Sequence, residues 1–335
     1  MAKLIGFLFL LIATAEAHEL HVVFKKIWTL PSSYKINKNK VGGLSGCSVH
    51  DSKIYFVSDD RGSHGGPRIV IFNYDANRQE IDFKNAETIF VKPDKNKFLD
   101  LEGIGVLNPE RILLSSEGDY NQRPRNEPEI FWIDHSGKKI KSILFPTEFL
   151  PEKTGRQKKG IQNNLAFEGL SFNADSTRWA ALLEAPLLQT PNELKLIESA
   201  IDSNQFDHIY SYPVPQAYFS KNESEKPVLA YFGPSDLLYL TAESFLVLER
   251  GVSLSTQGVG FRSQLCQVQK IDEKVLSRSC FYSMNEDEKL KVEIPNGANF
   301  EGLCWVNKQK KIFLTVSDNN FSKNEKTVFI LYQLN

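Results

Sequence analysis

The sequence predicts an all-β fold, a single-domain β-propeller for which six blades are favoured and five repeat phrases are readable. Two observations carry the prediction. The first is a Glu-Gly-apolar step that recurs and is followed each time by a strand ending in a carboxylate. Leu101-Glu102-Gly103-Ile104 precedes Ile112 to Glu117, Phe167-Glu168-Gly169-Leu170 precedes Ala181 to Glu184, and Phe300-Glu301-Gly302-Leu303 precedes Phe313 to Asp318. Degenerate copies are Gly42-Gly43-Leu44 with Tyr55 to Asp59, and Ser235-Asp236-Leu237-Leu238 with Phe245 to Glu249. A repeated strand pair that brings acidic groups to one structural position fits a radial β-array with a polar centre. The second observation is that the intervening segments hold short runs rich in β-branched and aromatic residues, bounded by Gly, Pro, Asn and Asp.

Taken in order, the chain opens with Lys3, an apolar run from Leu4 to Ala13 and a small-x-small step at Ala15-Glu16-Ala17. This pattern predicts a cleaved signal peptide over 1–17 and a propeller over 18–335, secreted or periplasmic. The apolar run is too short for a bilayer span, which needs roughly 17–25 residues, and no later stretch is long and apolar enough. Val22 to Leu30 and Thr327 to Leu334 read as strands that share one blade, which removes an open sheet edge. Further strands are expected at Arg68 to Phe72, Glu129 to Ile133, His208 to Tyr212 and Leu265 to Ile271. Asn192 to Asp202 follows Pro191, carries good helix formers and is predicted as a helix on a loop between blades. The phrases start near 42, 102, 168, 236 and 301, at intervals of 60, 66, 68 and 65 residues. Propeller repeats are typically about 40–50 residues, so either the loops are long or a sixth blade lacks the phrase. The segment 186–235 is the least readable and holds that blade or a rim insertion.

A formal net charge of −1 argues against a nucleic-acid binder or a polybasic membrane surface, and a monomer is expected. The four cysteines of an exported chain permit disulfides. Cys266 and Cys280 lie at the ends of consecutive strands and can bridge. Cys47 and Cys304 follow the Gly-Leu step of the first and last copies and become neighbours if the ring closes there, but buried free thiols are the preferred expectation. No Cys/His spacing fits zinc. Asn222-Glu223-Ser224 and Asn320-Phe321-Ser322 match the glycosylation pattern.

The repeated carboxylates are the candidate site. Two of them ~5 Å apart repel by about 3 kcal/mol at an effective dielectric of ~20. Such a ring needs protons, Arg or Lys partners, or a cation. Hard oxygen donors with Asn carbonyls favour Ca²⁺ over zinc or copper. Asp59, Asp60, Glu117, Glu184, Glu249, Asp318 and Asn319 are the candidate ligands, and Glu102, Glu168 and Glu301 the candidate catalytic carboxylates. Arg61, Arg68 and Arg250 either neutralise these groups or grip an anionic ligand, with Arg61 and Arg250 counted among the catalytic candidates.

Several of these motifs together resemble the esterase-like phytase family: Gly42 to Gly46 with Ser58-Asp59-Asp60-Arg61-Gly62, Asp100 to Ile104, Ser116-Glu117-Gly118, Phe167 to Leu170, Leu248-Glu249-Arg250, Asn299 to Leu303 and Ser317 to Phe321. The resemblance runs from about residue 40 to the C-terminus and keeps the motifs in order. It implies an exported β-propeller with an acidic centre suited to Ca²⁺, and a metal-dependent hydrolase of a small-molecule phosphate ester or other ester. The alternative is a non-catalytic propeller that binds a ligand or protein, its carboxylates structural or Ca²⁺-holding.

Overall fold

A computed structural model of the chain describes residues 20–94, 98–122, 124–215, 229–255 and 258–335. The signal segment and Asn222 therefore lie outside the described residues. The chain starts with β1 (Val22–Leu30) and a small hairpin, β2 (Lys35–Ile36) and β3 (Asn39–Lys40). Blade 1 is β4 (Leu44–His50), β5 (Lys53–Ser58), β6 (Arg68–Asp75) and β7 (Glu80–Phe90). Blade 2 is β8 (Leu101–Asn108), β9 (Arg111–Ser116), β10 (Glu129–Ile133) and β11 (Lys139–Ser142). Blade 3 is β12 (Phe167–Phe172), β13 (Arg178–Leu183), β14 (Glu193–Ala200) and β15 (His208–Pro213). Blade 4 is β16 (Leu229–Thr241), β17 (Ser244–Ser255), β18 (Gly258–Lys270) and β19 (Leu276–Ser283). A 3₁₀ turn and the short helix α1 (Glu288–Glu293), capped by Asp287, lead to blade 5: β20 (Asn299–Asn307), β21 (Ile312–Asp318) and β22 (Thr327–Leu334). The fourth strand of blade 5 is β1, paired antiparallel with β22 from Val22–Leu334 to Leu30–Thr327. Sharing one blade between the two ends closes the ring, as the sequence predicts.

Five cores lie between neighbouring blades, which explains why so many strands read as unbroken apolar runs. Successive residues of β13 serve different cores: Trp179, Ala181 and Leu183 pack toward blade 2, Ala180 and Leu182 toward blade 4. The last core joins Phe56, Val70 and Phe72 of blade 1 to Leu314, Val316 and Phe329 of blade 5.

The Glu-Gly step is a β-bulge in the innermost strand. Between Phe167–Leu183 and Gly169–Leu182 in blade 3, Glu168 is the extra residue; Glu301 is its counterpart in blade 5. The same irregularity places Ser45 and Glu102 in blades 1 and 2, and Ser235 in blade 4. A bulge bends the strand and re-aims a side chain, here toward the axis. The following glycine lets the next blade approach. A Cβ on Gly103 would stand 2.5 Å from the Glu168 carbonyl oxygen, and one on Gly302 would stand 2.3 Å from the Ser45 carbonyl oxygen across the ring closure.

The structure corrects four expectations. Five four-stranded blades form rather than six, because long rim connections and the long strands of blade 4 fill the period. The segment 186–235 contributes the outer strands of blade 3 and the start of blade 4; its residues 216–228 are not described. Asn192 to Asp202 is not a helix but contains β14. Its Leu194 and Leu196 face one core and Ile197 the other, so burial on both sheet faces overrides helix propensity. Cys47 and Cys304 are not free thiols: they form a disulfide between the inner strands of blades 1 and 5. Cys266 and Cys280 also bridge, across directly paired residues of β18 and β19.

Candidate functional site

Strand register defines three sets of equivalent positions around the axis. The bulge set is Ser45, Glu102, Glu168, Ser235 and Glu301. The residue after the strand-end pair gives Asp59, Glu117, Glu184, Arg250 and Asp318. Where four blades carry a carboxylate, blade 4 carries an arginine. The position two before the bulge holds Asp100 in blade 2 and Asn299 in blade 5. Of these groups, Asp59, Glu102, Glu117, Glu168, Arg250, Asn299, Glu301 and Asp318 line a cavity of about 480 Å³.

Two carboxyl trios form at its wall. Asp59, Asp100 and Glu102 offer oxygens that all lie within 4.8 Å of one another, as do Glu117, Glu168 and Glu184. Glu102 accepts from Ser45 Oγ at 2.8 Å, and Glu117 accepts from the Ala166 amide at 2.6 Å. Arg250 lies beside the second trio. Its Nη2 donates to Glu184 Oε1 at 3.0 Å and lies 3.1 Å from Glu301 Oε1 and 3.9 Å from Glu168 Oε1. Glu168 Oε2 is buried with no hydrogen-bond partner among the described residues. Arg61, its side chain 46% exposed, reaches Asp100 Oδ2 at 2.7 Å and also contacts Asn164.

The electrostatics follow from crowding. Burial, then the hydrogen bond and charge of Asp100, push the Asp59 carboxyl up to about 11. Burial raises Glu301 to about 8 and Asp318 to about 6, against the pull of Arg250. Glu102, Glu117 and Glu168 are held well above the carboxylate range by burial and by their acidic neighbours. Two guanidinium groups stand against eight carboxyls among the described residues, so the site carries excess negative charge that protons or added cations must offset.

Most predicted residues meet here, but four turn away. Asp60 is buried beneath the loop 61–68, accepting from the amides of Gly62, His64 and Gly66 at 2.9–3.0 Å and from Arg68. Arg68 is itself buried and donates to the Gly66 and Lys40 carbonyls. Glu249 precedes Arg250 by one residue and so faces the other side of the sheet, where Tyr212 (2.6 Å), Gln264 (2.7 Å) and Arg278 occupy it. Asn319 Oδ1 accepts from the Gly43 and Phe321 amides at the blade 1–blade 5 seam. At the degenerate copies the strand register departs from the repeat: Ser235, not Asp236, is the bulge residue of blade 4, and Ser45, not Gly42, that of blade 1. Asp236 occupies the glycine position and accepts from the Leu303 amide at 2.6 Å. Asp100 joins the site without being singled out by the repeat, although it directly precedes the Leu101-Glu102-Gly103 phrase.

Repeat, five-bladed ring and ordered motifs converge with a family model, phytase-like, "esterase-like activity of phytase", that matches residues 39–321. The chain belongs to the phytase-like family. No curated protein sequence matches the phytase-like chain. Among solved structures, a GH43 β-1,3-galactosidase with galactodeoxynojirimycin aligns over 92% of this chain and 93% of its own, with a TM-score of 0.53 and 10% identity. An exo-1,5-α-L-arabinanase from a bovine ruminal metagenomic library aligns over 89% and 95%, with a TM-score of 0.44 and 8% identity. At such identity the first likeness is one of fold alone.

Proposed function

We propose that this phytase-like propeller is an exported hydrolase of a phosphate ester, or another small ester, working at a Ca²⁺-loaded acidic centre. One observation carries the reading: six carboxyls line one cavity, Asp100 and Glu184 complete two trios with them, and a buried oxygen among these, Glu168 Oε2, has no donor among the described residues. The donor set fits the ion. It is all oxygen, and Ca²⁺ takes six to eight oxygen ligands in flexible geometry. Asp59, Asp100 and Glu102 would form one site, and Glu117, Glu168 and Glu184 the other. Bound Ca²⁺ would neutralise an anionic substrate and polarise its ester group.

The chain's own groups supply the rest. Arg61, half-exposed and oriented by Asp100, would hold an anionic oxygen as charge develops. Asp318 would take a proton from the attacking water as its oxygen bonds to phosphorus. Glu301, hydrogen-bonded to Asn299 and beside Arg250, would protonate the alcohol oxygen as its bond to phosphorus breaks. The two disulfides support an oxidising compartment, and no helix among the described residues is long and apolar enough to cross a membrane.

A second reading has support in Arg250, which meets three carboxylates as a metal would. In that reading the propeller binds a ligand or protein without catalysis. Calorimetric Ca²⁺ titration of residues 18–335, with Glu102→Gln and Glu168→Gln variants and a phosphomonoester assay, separates the two. Saturable binding weakened at least tenfold in both variants, with Ca²⁺-dependent turnover, is expected. A folded protein with neither binding nor turnover sinks the hydrolase and leaves the binder.

A further inference from the structure

Blade 4 is built longer than the rest. Its strands β16, β17 and β18 run for 13, 12 and 13 residues, whereas the inner strands of blades 1, 2, 3 and 5 have 7, 8, 6 and 9. The extra length lies on the cavity side, because Arg250 sits mid-strand in β17 rather than at its end. Side chains alternate along a strand, so the face that presents Arg250 to the cavity next presents Val252 and then Leu254. Their partners on β18 are Ser263, Phe261 and Val259 in the same order. On β16, Tyr231 pairs with Val252, and its hydroxyl donates to the Glu184 carbonyl at 3.0 Å, tying the extension to blade 3.

The result is an apolar strip that continues directly from the acidic centre. Val252, Val259 and Phe261 line the same cavity as the carboxylates, while Leu254 and Val259 remain 44% and 56% exposed. The rest of the lining is polar, Arg61, Asn164 and Asn320 included. Exposed apolar side chains in register beside a charged cavity form a recognition surface rather than scattered surface residues.

We infer that the substrate is an amphiphilic ester: its reacting group sits among the carboxylates, and its alkyl or aryl group lies on the strip of Val252, Leu254, Val259 and Phe261. A compact polyanion would leave that strip wet and would bring charge against four apolar side chains. The inference rests on the hydrolase reading for the reacting group but not for the wall.

The test compares methyl, butyl and hexyl phosphate and inositol hexakisphosphate as substrates of the Ca²⁺-loaded protein, with the matching alkylphosphonates as non-hydrolysed ligands in calorimetry. In the wild type, kcat/KM and phosphonate affinity should rise about fourfold for each methylene that reaches the strip. A Leu254→Ser/Val259→Ser double variant, changed only at exposed positions, should flatten both series. Turnover with no chain-length dependence, or an undiminished slope in the variant, overturns the inference and leaves the hydrolase standing. Chain-length-dependent phosphonate binding without turnover of any ester has the opposite effect.

Discussion

Arg250 stands where the other blades carry Asp59, Glu117, Glu184 and Asp318, and this single exchange sets the electrostatics of the centre. A guanidinium there offsets Glu184 and Glu301 without touching the Asp59–Asp100–Glu102 trio. Its sequence neighbour Glu249 shows how one residue of register decides a role: the same strand turns Glu249 to Arg278 and Tyr212 and Arg250 to the axis. Asp60 makes the same point beside Asp59. Its oxygens are filled by three amides and by Arg68, both partners buried, and the Arg68 bond and the amides hold its carboxyl below the usual range against the cost of burial. Asp60→Asn should therefore destabilise the protein by about 3–5 kcal/mol, the usual cost of leaving a buried charge without its partner. Ca²⁺ affinity should stay within about twofold of wild type, since no Asp60 oxygen faces the cavity. Urea unfolding and calorimetry read the two quantities separately, and a large loss of affinity would put Asp60 back among the ligands.

At the scale of the element, the bulge joins sequence to site. The repeated Glu-Gly step was legible because it combines two unusual demands: a carboxylate where the strand bends to the axis, and no side chain where the next blade's backbone arrives. Gly103→Ala tests the second demand. Its Cβ would meet the Glu168 carbonyl oxygen at 2.5 Å and Ser115 Oγ at 2.7 Å, both held in strand structure. Overpacking of this kind costs about 1–3 kcal/mol, and the shift it forces falls on the blade that carries Glu168. The variant should thus lose stability in urea and also bind Ca²⁺ more weakly, whereas an unchanged protein would mean that the blades have slack at the axis. The strand β14 was not legible. Glu193 to Ala200 combines residues of good helix propensity with an apolar pattern that suits two opposed cores, and only the neighbours on both faces decide between them.

The whole molecule is a ring under internal charge, closed by β1 on β22 and by the Cys47–Cys304 disulfide. Its stability without metal should depend on pH with a definite sign. Glu301 and Asp318 titrate near 8 and 6 in the folded protein, against ordinary values of 4.5 and 3.8. The folded state thus holds protons that the unfolded chain has released, and stability falls as pH rises from about 4 through 8. In EDTA, the melting temperature should drop between pH 5 and pH 8, by about 1.5 °C for each kcal/mol lost in a chain this large. Added Ca²⁺ should restore it at pH 8 and do little at pH 5. A melting temperature that climbs with pH in EDTA would mean that Arg250 and Arg61 already compensate the carboxylates in full.

By itself the sequence determined the repeat, the all-β class, the sharing of a blade by the two chain ends, and which blades bring Glu102, Glu168, Glu301, Glu117, Glu184 and Asp318 to the centre. Those follow from local periodicity and from a motif whose residues are each needed where they stand. Only the tertiary structure decided that five blades close the ring, that Cys47 meets Cys304, and that Asp60, Glu249 and Asn319 face away while Asp100 faces in. These outcomes depend on which strands pair and in what register. A shift of one residue along a strand reverses the face a side chain takes, and the sequence carries no local mark of it.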